Sequence, residues 1–374
     1  MGRSVSGFLG ACAVLSGSFL SGCKTRDWAL ILQENRGRVD FPFLARAAAI
    51  TLETVATSLL ATVEPDPKLT APQQAYWDQT IFVLGLPRSG TTLLQNWLAA
   101  NPDLAYPTRL DCFNPHTFIT LHRLGLNWLL AQIPARKRAL DNVKMGWSSP
   151  DEDEFALTVL AADGPWLGVV FGERRNHYRE QCPLNPHWQG ATRWKAALEL
   201  LTRKLVALHN KPLVLKSPLH TMRIPDILEV FPQARFVTIF RNPQEQSRST
   251  VGVAKQKTIW PALQTYRPEE HEYFDYNQRI FQRYFETRQL IPQENLVEVT
   301  YEDLVASPAD TLRQIHEKLN LPGLNPLLTK VAADPTHRAY QKNQHQELTA
   351  AEQERAMELY APLRQAGFYQ ECPA

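Results

Sequence analysis

Cysteine is scarce in this chain: five cysteines among 374 residues stand far apart, at positions 12, 23, 112, 182 and 372. So few cysteines exclude a disulfide framework, and the absence of any Cys-X-X-Cys pair argues against a zinc site. This usage is typical of a reducing compartment. We therefore expect a cytoplasmic protein without a zinc site.

An excess of charge of either sign is also missing. Lys and Arg number 40 against 38 Asp and Glu, a formal net charge of +2. Nucleic-acid-binding proteins more often carry a clustered basic stripe, and the sequence has none, so we expect no nucleic-acid partner. Any anionic ligand must then be bound by the local geometry of a site.

The apolar N-terminus is too short and too rich in Ser and Gly to span a membrane. Residues 7–22 read GFLGACAVLSGSFLSG, and Arg3 is the only basic side chain before them. Leu20-Ser21-Gly22-Cys23 resembles a bacterial lipoprotein cleavage site. The alternative is a floppy or interfacial N-terminal segment, and the sequence alone leaves both open.

A proline-rich segment divides the chain. Residues 41–62 form an apolar pattern that predicts a helix, and the following VEPDPKLTAPQQ, residues 63–74, is typical of a linker. We therefore predict an apolar, helical N-terminal extension over residues 1–75 and a main domain over residues 76–374.

The main domain alternates apolar strand patterns with helical ones. Strands are predicted at 81–86, 213–216, 235–241 and 296–301, and the last leads into one helix from about 301 to 319. Strands followed by helices at this rhythm predict a parallel sheet covered on both faces. The predicted fold class is α/β, with a P-loop-like parallel sheet flanked by helices and an N-terminal helical extension.

The segment Leu84 to Leu94, LGLPRSGTTLL, places a glycine-bounded loop between a strand and a helix. Such a loop directs backbone N–H groups and a helix dipole at one point, which favours phosphate binding. A simple glycine turn is the alternative interpretation. The candidate phosphate-binding residues are Pro87, Arg88, Ser89, Gly90, Thr91 and Thr92.

The loop differs from that of nucleotide triphosphatases. Thr91 stands where the GxxxxGK[ST] pattern has its lysine, and the cation is Arg88, inside the loop. No aspartate that could bind magnesium follows an apolar strand clearly. A kinase or nucleotide triphosphatase is therefore the less favoured alternative.

Together with residues 241–249, this loop resembles the PAPS-dependent sulfotransferase superfamily. The resemblance implies 3′-phosphoadenosine-5′-phosphosulfate (PAPS) as co-substrate, 3′,5′-diphosphoadenosine as product, and no metal. It also implies that Arg241 and Ser249 clamp the 3′-phosphate, with Arg248 assisting. A guanidinium offers a planar fork to a phosphate dianion.

Further segments extend the resemblance over about residues 80–340. Tyr301, in the segment YEDL, corresponds to a tyrosine beside the adenine, although packing at a helix start explains it too. Arg338 is a candidate for closing over the 3′-phosphate. Segments typical of the mostly bacterial branch lie at 106–108, 113–116, 141–143, 149–157 and 215–221.

By the same resemblance, Lys216 contacts the sulfuryl or bridging oxygen and Arg88 is the second cation; a lysine that only extends from a strand end is the alternative. The general base stays open among several residues. A carboxylate with a raised pKa can take a proton from a hydroxyl, but acids at a helix start also serve the helix dipole. The candidates are Glu152, Glu154, His220 and Asp111.

The resemblance implies transfer of a sulfuryl group to a hydroxyl of a small-molecule or lipid-like acceptor. The apolar helix at 41–62 and the tryptophan-rich middle of the chain suggest an acceptor reached near a membrane, although core packing explains them equally well. A non-catalytic, membrane-associated nucleotide-binding protein is the remaining alternative.

Overall fold

The computed structural model describes residues 16–137, 144–180, 188, 190–254, 261–265, 270–333 and 347–369. In these residues a parallel sheet of four strands has the order β4-β1-β5-β6, and a short antiparallel pair joins β2 to β3. The strands are β1 Ile81–Leu84, β2 Arg136–Lys137, β3 Lys144–Met145, β4 Val214–Lys216, β5 Arg235–Phe240 and β6 Leu296–Thr300.

Helices surround this sheet, as the alternating pattern predicts. Up to the end of β4 they are Thr25–Glu34, Leu44–Leu60, Ala71–Asp78, Thr91–Ala99, Arg109–Phe113, Phe118–Arg123, Leu126–Ala131, Glu154–Ala161, Leu167–Val170, Arg175–Glu180 and Ala191–His209. After β4 they are Ile224–Val230, Pro243–Ala254, Glu270–Thr287, Tyr301–Ala306, Pro308–Lys318, Leu324–Ala333, Ala350–Leu359 and Ala361–Gln365. The predicted α/β fold with a parallel sheet flanked by helices is confirmed.

The prediction of one continuous helix from 301 to 319 is wrong. The helix ends at Ala306, and a second one begins at Pro308. Between them Ser307 has φ −140° and ψ 68°, outside the helical region. A proline disfavours helical geometry in the residue before it and supplies no N–H for the helix, so the chain turns there.

Strand β1 packs apolar side chains on both faces of the sheet. Phe82 and Leu84 join one hydrophobic cluster, and Ile81 and Val83 join a second. All four are fully buried. A parallel strand covered by helices on both sides is expected to be continuously apolar in this way.

The N-terminal segment belongs to the core. Residues Phe19–Gly22 form a buried 3₁₀ turn, and the Phe19 ring lies 5.2 Å from Phe155 and 6.5 Å from Trp166. Phe19 and Leu20 share a hydrophobic cluster with Phe82 of the sheet. The expectation of a floppy N-terminus is therefore wrong for residues 16–23, and the core extends across the predicted boundary at residue 75.

Gly22 of this turn packs closely against the backbone of Phe113. A Cβ atom at Gly22 would lie 2.1 Å from the backbone oxygen of Phe113. We expect Gly22→Ala to lower the free energy of unfolding by about 2 kcal/mol, because a backbone must move to admit the methyl group. Urea denaturation measures the change.

Gly146→Ala is the matched control, since its added Cβ would meet its nearest atom at an ordinary 3.5 Å. Equal unfolding midpoints for the two variants would contradict the buried position of the turn.

Candidate active site

The loop after β1 has the conformation that its glycines permit. Gly85 has φ +147° and Gly90 has φ +101°, and a Cβ on Gly90 would lie 2.5 Å from the Tyr301 ring. Arg88 adopts φ +71°, which is uncommon for a residue with a side chain. The helix Thr91–Ala99 begins directly after Gly90, so its N-terminus faces the loop.

Thr221 holds the first residue of this loop. The Gly85 N–H donates to Thr221 Oγ1 at 2.9 Å, and the Thr221 hydroxyl donates to the Gly85 carbonyl at 3.2 Å. Thr221 belongs to the 3₁₀ turn Pro218–Met222, which follows β4. Strand β4 and the loop are therefore connected through the residues that follow each strand.

Several residues predicted to bind the nucleotide meet beside the loop. Arg88 Nε donates to Ser249 Oγ at 3.0 Å, and Arg241 donates to the Arg88 carbonyl at 3.2 Å. The Arg241 guanidinium also lies 4.5 Å from the centre of the Tyr301 ring. The strand pairing explains the meeting, because parallel strands bring Gly85, Arg241 and Tyr301 to the same edge of the sheet.

The donors in this cluster fit a bound phosphate. Ser89 Oγ and Arg241 Nε are buried and, within the described part of the chain, make no hydrogen bond. Buried polar groups usually have a partner, and guanidinium groups form strong charge-assisted hydrogen bonds with phosphate. The chemistry of the donors therefore suits a phosphorylated ligand such as PAPS.

Lys216 lies at the carboxyl end of β4, next to Val83 of β1. Its Nζ atom lies 3.2 Å from Glu152 Oε2, and its side chain is only 3% exposed. The Glu152 side chain keeps 15% of its surface exposed. The pair places a cation and a carboxylate together, close to the start of the phosphate loop.

Asp153 fixes the backbone and the turn around this lysine. Asp153 Oδ1 accepts the Lys216 N–H at 3.1 Å, and Oδ2 accepts from His220 Nε2 at 2.6 Å. Asp153 and His220 are both fully buried. This carboxylate therefore connects β4 to the 3₁₀ turn that follows it.

Glu154 is paired in the same segment. Arg223 donates to Glu154 Oε2 at 2.5 Å, and the Arg223 guanidinium lies 4.6 Å from the ring of Trp194 and 5.4 Å from that of Trp188. Burial raises the pKa of the Glu154 carboxyl, and the nearby positive charge of Arg223 opposes that rise. The interpretation that at least two of these three acids serve the helix dipole stays a prediction: Asp153 stands at the N-cap and Glu154 in the first turn of the helix Glu154–Ala161, and all three acids also contact side chains of residues 216–223.

Two of the remaining candidate residues, Asp111 and Arg248, have other partners. Asp111 is fully buried and accepts from Thr108 Oγ1 at 2.7 Å and from His122 Nε2 at 2.9 Å. Arg248 pairs with Glu245 at 3.0 Å. Arg338, like residues 141–143, lies outside the described residues. In the described part of the chain, no group of three or more His, Cys, Asp or Glu could hold a metal ion.

No pattern in the sequence predicts the contacts that the C-terminal segment makes here. Gln246 donates to the Pro87 carbonyl at 2.5 Å, and its own side-chain oxygen accepts from Tyr360. Tyr369 donates to Glu302 Oε2 at 2.6 Å, and Glu302 Oε1 accepts the Asn242 N–H. Tyr360 and Tyr369 lie far along the chain from the residues that they contact, and no local sequence pattern predicts such contacts.

Comparison with known proteins agrees with this geometry. The model of the Sulfotransferase family matches residues 80–326, more than half of the chain. The chain is 29% identical over 341 residues to the omega-hydroxy-beta-dihydromenaquinone-9 sulfotransferase Stf3 of Mycobacterium bovis, covering 87% of this chain and 84% of the relative. The Stf3 of Mycobacterium tuberculosis matches to the same extent.

Solved structures share the fold. Sulfotransferase STF1 from Mycobacterium tuberculosis H37Rv has a TM-score of 0.54 at 15% identity, covering 96% of this chain and 99% of its own. STF9 from Mycobacterium avium has a TM-score of 0.54 at 18% identity, covering 97% and 96%. The chain therefore belongs to the Sulfotransferase family and is a sulfotransferase.

Proposed function

We propose that this enzyme transfers the sulfuryl group of PAPS to a hydroxyl of a lipid-like acceptor. The observation that carries the proposal is the meeting of Arg88, Arg241 and Ser249 beside the phosphate loop, with the Lys216–Glu152 pair at the neighbouring strand end. Binding residues and reactive residues thus line one edge of the sheet, where ligands of open α/β sheets bind.

The loop after β1 binds the phosphosulfate of PAPS, and residues that follow β5 and β6 bind the rest of the nucleotide. Residues 87–92 bind the 5′-phosphosulfate, with Arg88 as the cation of the loop. Arg241 and Ser249 bind the 3′-phosphate, and Tyr301 borders the adenine. Arg338 keeps its role as a sequence-based candidate for closing over the 3′-phosphate.

The transfer is an in-line displacement. The acceptor oxygen forms a bond to sulfur while the bond from sulfur to the bridging oxygen of the 5′-phosphate breaks. Lys216 and Arg88 stabilise the negative charge that develops on the bridging oxygen. The proton of the acceptor hydroxyl passes to a carboxylate, and the products are a sulfate ester and 3′,5′-diphosphoadenosine.

Among the base candidates, we assign that proton to Glu152. Its carboxylate retains solvent exposure and lies 3.2 Å from Lys216 Nζ. Glu154 is almost fully buried against Arg223, and His220 is fully buried against Asp153, so neither side chain presents a free face to an acceptor. A general base must reach the proton that it removes.

The relatives support a lipid-like acceptor. Stf3 is named for a hydroxylated menaquinone, and it matches this chain over most of both lengths. Identity of 29% leaves room for a different alcohol, so the proposal extends to the chemical class, a hydroxyl on a hydrophobic chain or ring system.

Nucleotide binding separates this proposal from a kinase. We expect tight binding of 3′,5′-diphosphoadenosine and weak binding of ATP by calorimetry, because Thr91 replaces the lysine that neutralises a triphosphate. Transfer from labelled PAPS to a lipid extract should survive EDTA. Tight ATP binding, or activity that EDTA removes and magnesium restores, would contradict the proposal.

Arg241→Ala is expected to weaken binding of 3′,5′-diphosphoadenosine by about tenfold to a hundredfold, because a charge-assisted contact with the phosphate is lost. Calorimetry on the purified variant measures the affinity. Arg313→Ala is the control, since the Arg313 side chain is 44% exposed and pairs with Asp310 of its own helix. Unchanged affinity in Arg241→Ala would contradict the assignment of Arg241 as a ligand of the 3′-phosphate.

Glu152→Gln is expected to reduce the rate of transfer by about a hundredfold or more, because the amide cannot take the proton. Binding of 3′,5′-diphosphoadenosine should stay close to that of the unaltered enzyme, and the urea midpoint should fall by less than in Glu154→Gln, because Lys216 loses its carboxylate partner at a position that keeps some exposure. Glu154→Gln is the contrast: it leaves Arg223 buried without its carboxylate, so we expect it to destabilise the fold by about 3 kcal/mol or more. A fully active Glu152→Gln enzyme would move the base to another residue.

A further inference from the structure

In the helix Leu44–Leu60 most of the buried side chains are polar, and the large exposed side chains are apolar. Glu53 is 2% exposed and Thr57 is 6% exposed, whereas Leu52 is 71% exposed and Leu59 is 68% exposed. A surface helix of a water-soluble protein shows the opposite arrangement. The environment outside this helix is therefore expected to be apolar.

Specific contacts hold the helix in this orientation. The Ser16 hydroxyl donates to Glu53 Oε2 at 2.5 Å, and Thr57 donates to the Ser21 carbonyl at 3.0 Å. The Trp28 ring N–H donates to Thr51 at 2.9 Å. Rotating the helix to bury its leucines would break these bonds and would expose the N-terminal turn, so the outward leucines are a fixed feature of the fold.

A second segment adds exposed apolar side chains. Leu124 is 61% exposed and Trp128 is 68% exposed, around the helix Leu126–Ala131. Glu64 connects this segment to the first: its carboxylate accepts the N–H groups of Ile119 and Thr120 at 3.1 and 2.9 Å. The end of one apolar segment thus lies at the start of the helix that leads into the other.

Along the sequence the second segment carries charge of one sign, and the Glu64 carboxylate that lies beside it is paired with Lys204 Nζ at 2.6 Å. From Phe113 to Leu140 the sequence contains no Asp or Glu, while Arg123 and the run Arg136-Lys137-Arg138 stand on either side of the apolar stretch. In the helix Leu44–Leu60 the one acid, Glu53, is turned inward. Basic flanks around apolar side chains complement an anionic lipid surface.

We propose that these two segments form a surface that docks on a bilayer containing anionic lipids. Leu52, Leu59 and Trp128 enter the interfacial layer, and the positive charge that the sequence carries on either side of the second segment favours anionic headgroups. The stretch Phe41–Leu60 is apolar and long enough to cross a membrane. The enzyme lies on the surface instead, because Glu53 and Thr57 are bonded to the protein and Arg46 donates to the Ala262 carbonyl.

The choice of lipid as the partner rests in part on the proposed lipid-like acceptor. The second segment follows the helix Arg109–Phe113, which packs against the helix that begins at Glu154. Docking there would bring the bilayer to the same part of the fold as the Lys216–Glu152 pair. The hydroxyl of an acceptor dissolved in the membrane would then reach the Lys216–Glu152 pair while the apolar part of the acceptor stays in the bilayer.

Flotation of the full-length protein with vesicles tests the surface. We expect binding to phosphatidylcholine vesicles that contain phosphatidylglycerol, and weaker binding to phosphatidylcholine alone. The double variant Leu52→Gln, Leu59→Gln should bind about tenfold less tightly or worse, because two side chains no longer enter the apolar layer. Leu290→Gln, at a leucine that is 53% exposed outside both segments, should bind like the unaltered protein.

Other results would overturn the surface. Vesicle binding that survives the double variant, or that is lost on Phe8→Gln instead, would assign the contact to another part of the chain. A protein that ignores vesicles and forms dimers that the double variant dissociates would show that a second copy covers the leucines. Affinity for 3′,5′-diphosphoadenosine, measured on the same samples, reports separately on the proposed function.

Discussion

The side-chain contacts between residues 152–154 and residues 216–223 are the constraint on which the proposed reactive centre depends. Three consecutive acids bind, in chain order, Lys216, His220 and Arg223. Removing one partner of a buried pair leaves a polar or charged group in a medium that solvates it poorly. The loss of any one contact is therefore expected to destabilise this arrangement. The segment after β4 is therefore held rigidly against the helix that begins at Glu154. Only the outermost pair, Glu152 with Lys216, keeps access to solvent, and that is where the proposed proton transfer occurs.

Burial separates the roles of residues that the sequence presents as equals. A carboxylate at position 152 and one at position 154 are chemically alike, but the second is fully buried and paired with Arg223, whose guanidinium lies against two tryptophan rings. In our proposal the inner pairs position the lysine, and the outer pair meets the acceptor. An enzyme can use a charged residue for catalysis only where the fold leaves one side of that residue open.

The two ends of the chain support the two proposed binding regions, the nucleotide site and the membrane surface. Tyr360, through Gln246, supports the Pro87 carbonyl of the phosphate loop, so the C-terminal helices fix a loop that lies far back in the sequence. At the other end, the buried turn Phe19–Gly22 binds the polar face of the helix Leu44–Leu60 and leaves its leucines outside. The same N-terminal turn thus fills the core and, in our proposal, sets the orientation of the membrane surface.

The sequence by itself determined the α/β fold, because four apolar strand patterns each followed by a helical pattern allow few other arrangements. It also determined the phosphate loop, since Gly85 and Gly90 supply backbone angles that other residues adopt at a cost. The roles assigned to Arg88, Lys216, Arg241 and Ser249 stay predictions. The tertiary structure alone decided which acids face Lys216 and His220, that residues 16–23 lie in the core, and that a helix turns its leucines outward. The physical reason is that a sequence pattern reports local periodicity, whereas pairing and burial depend on which residues the folded chain brings together from far apart.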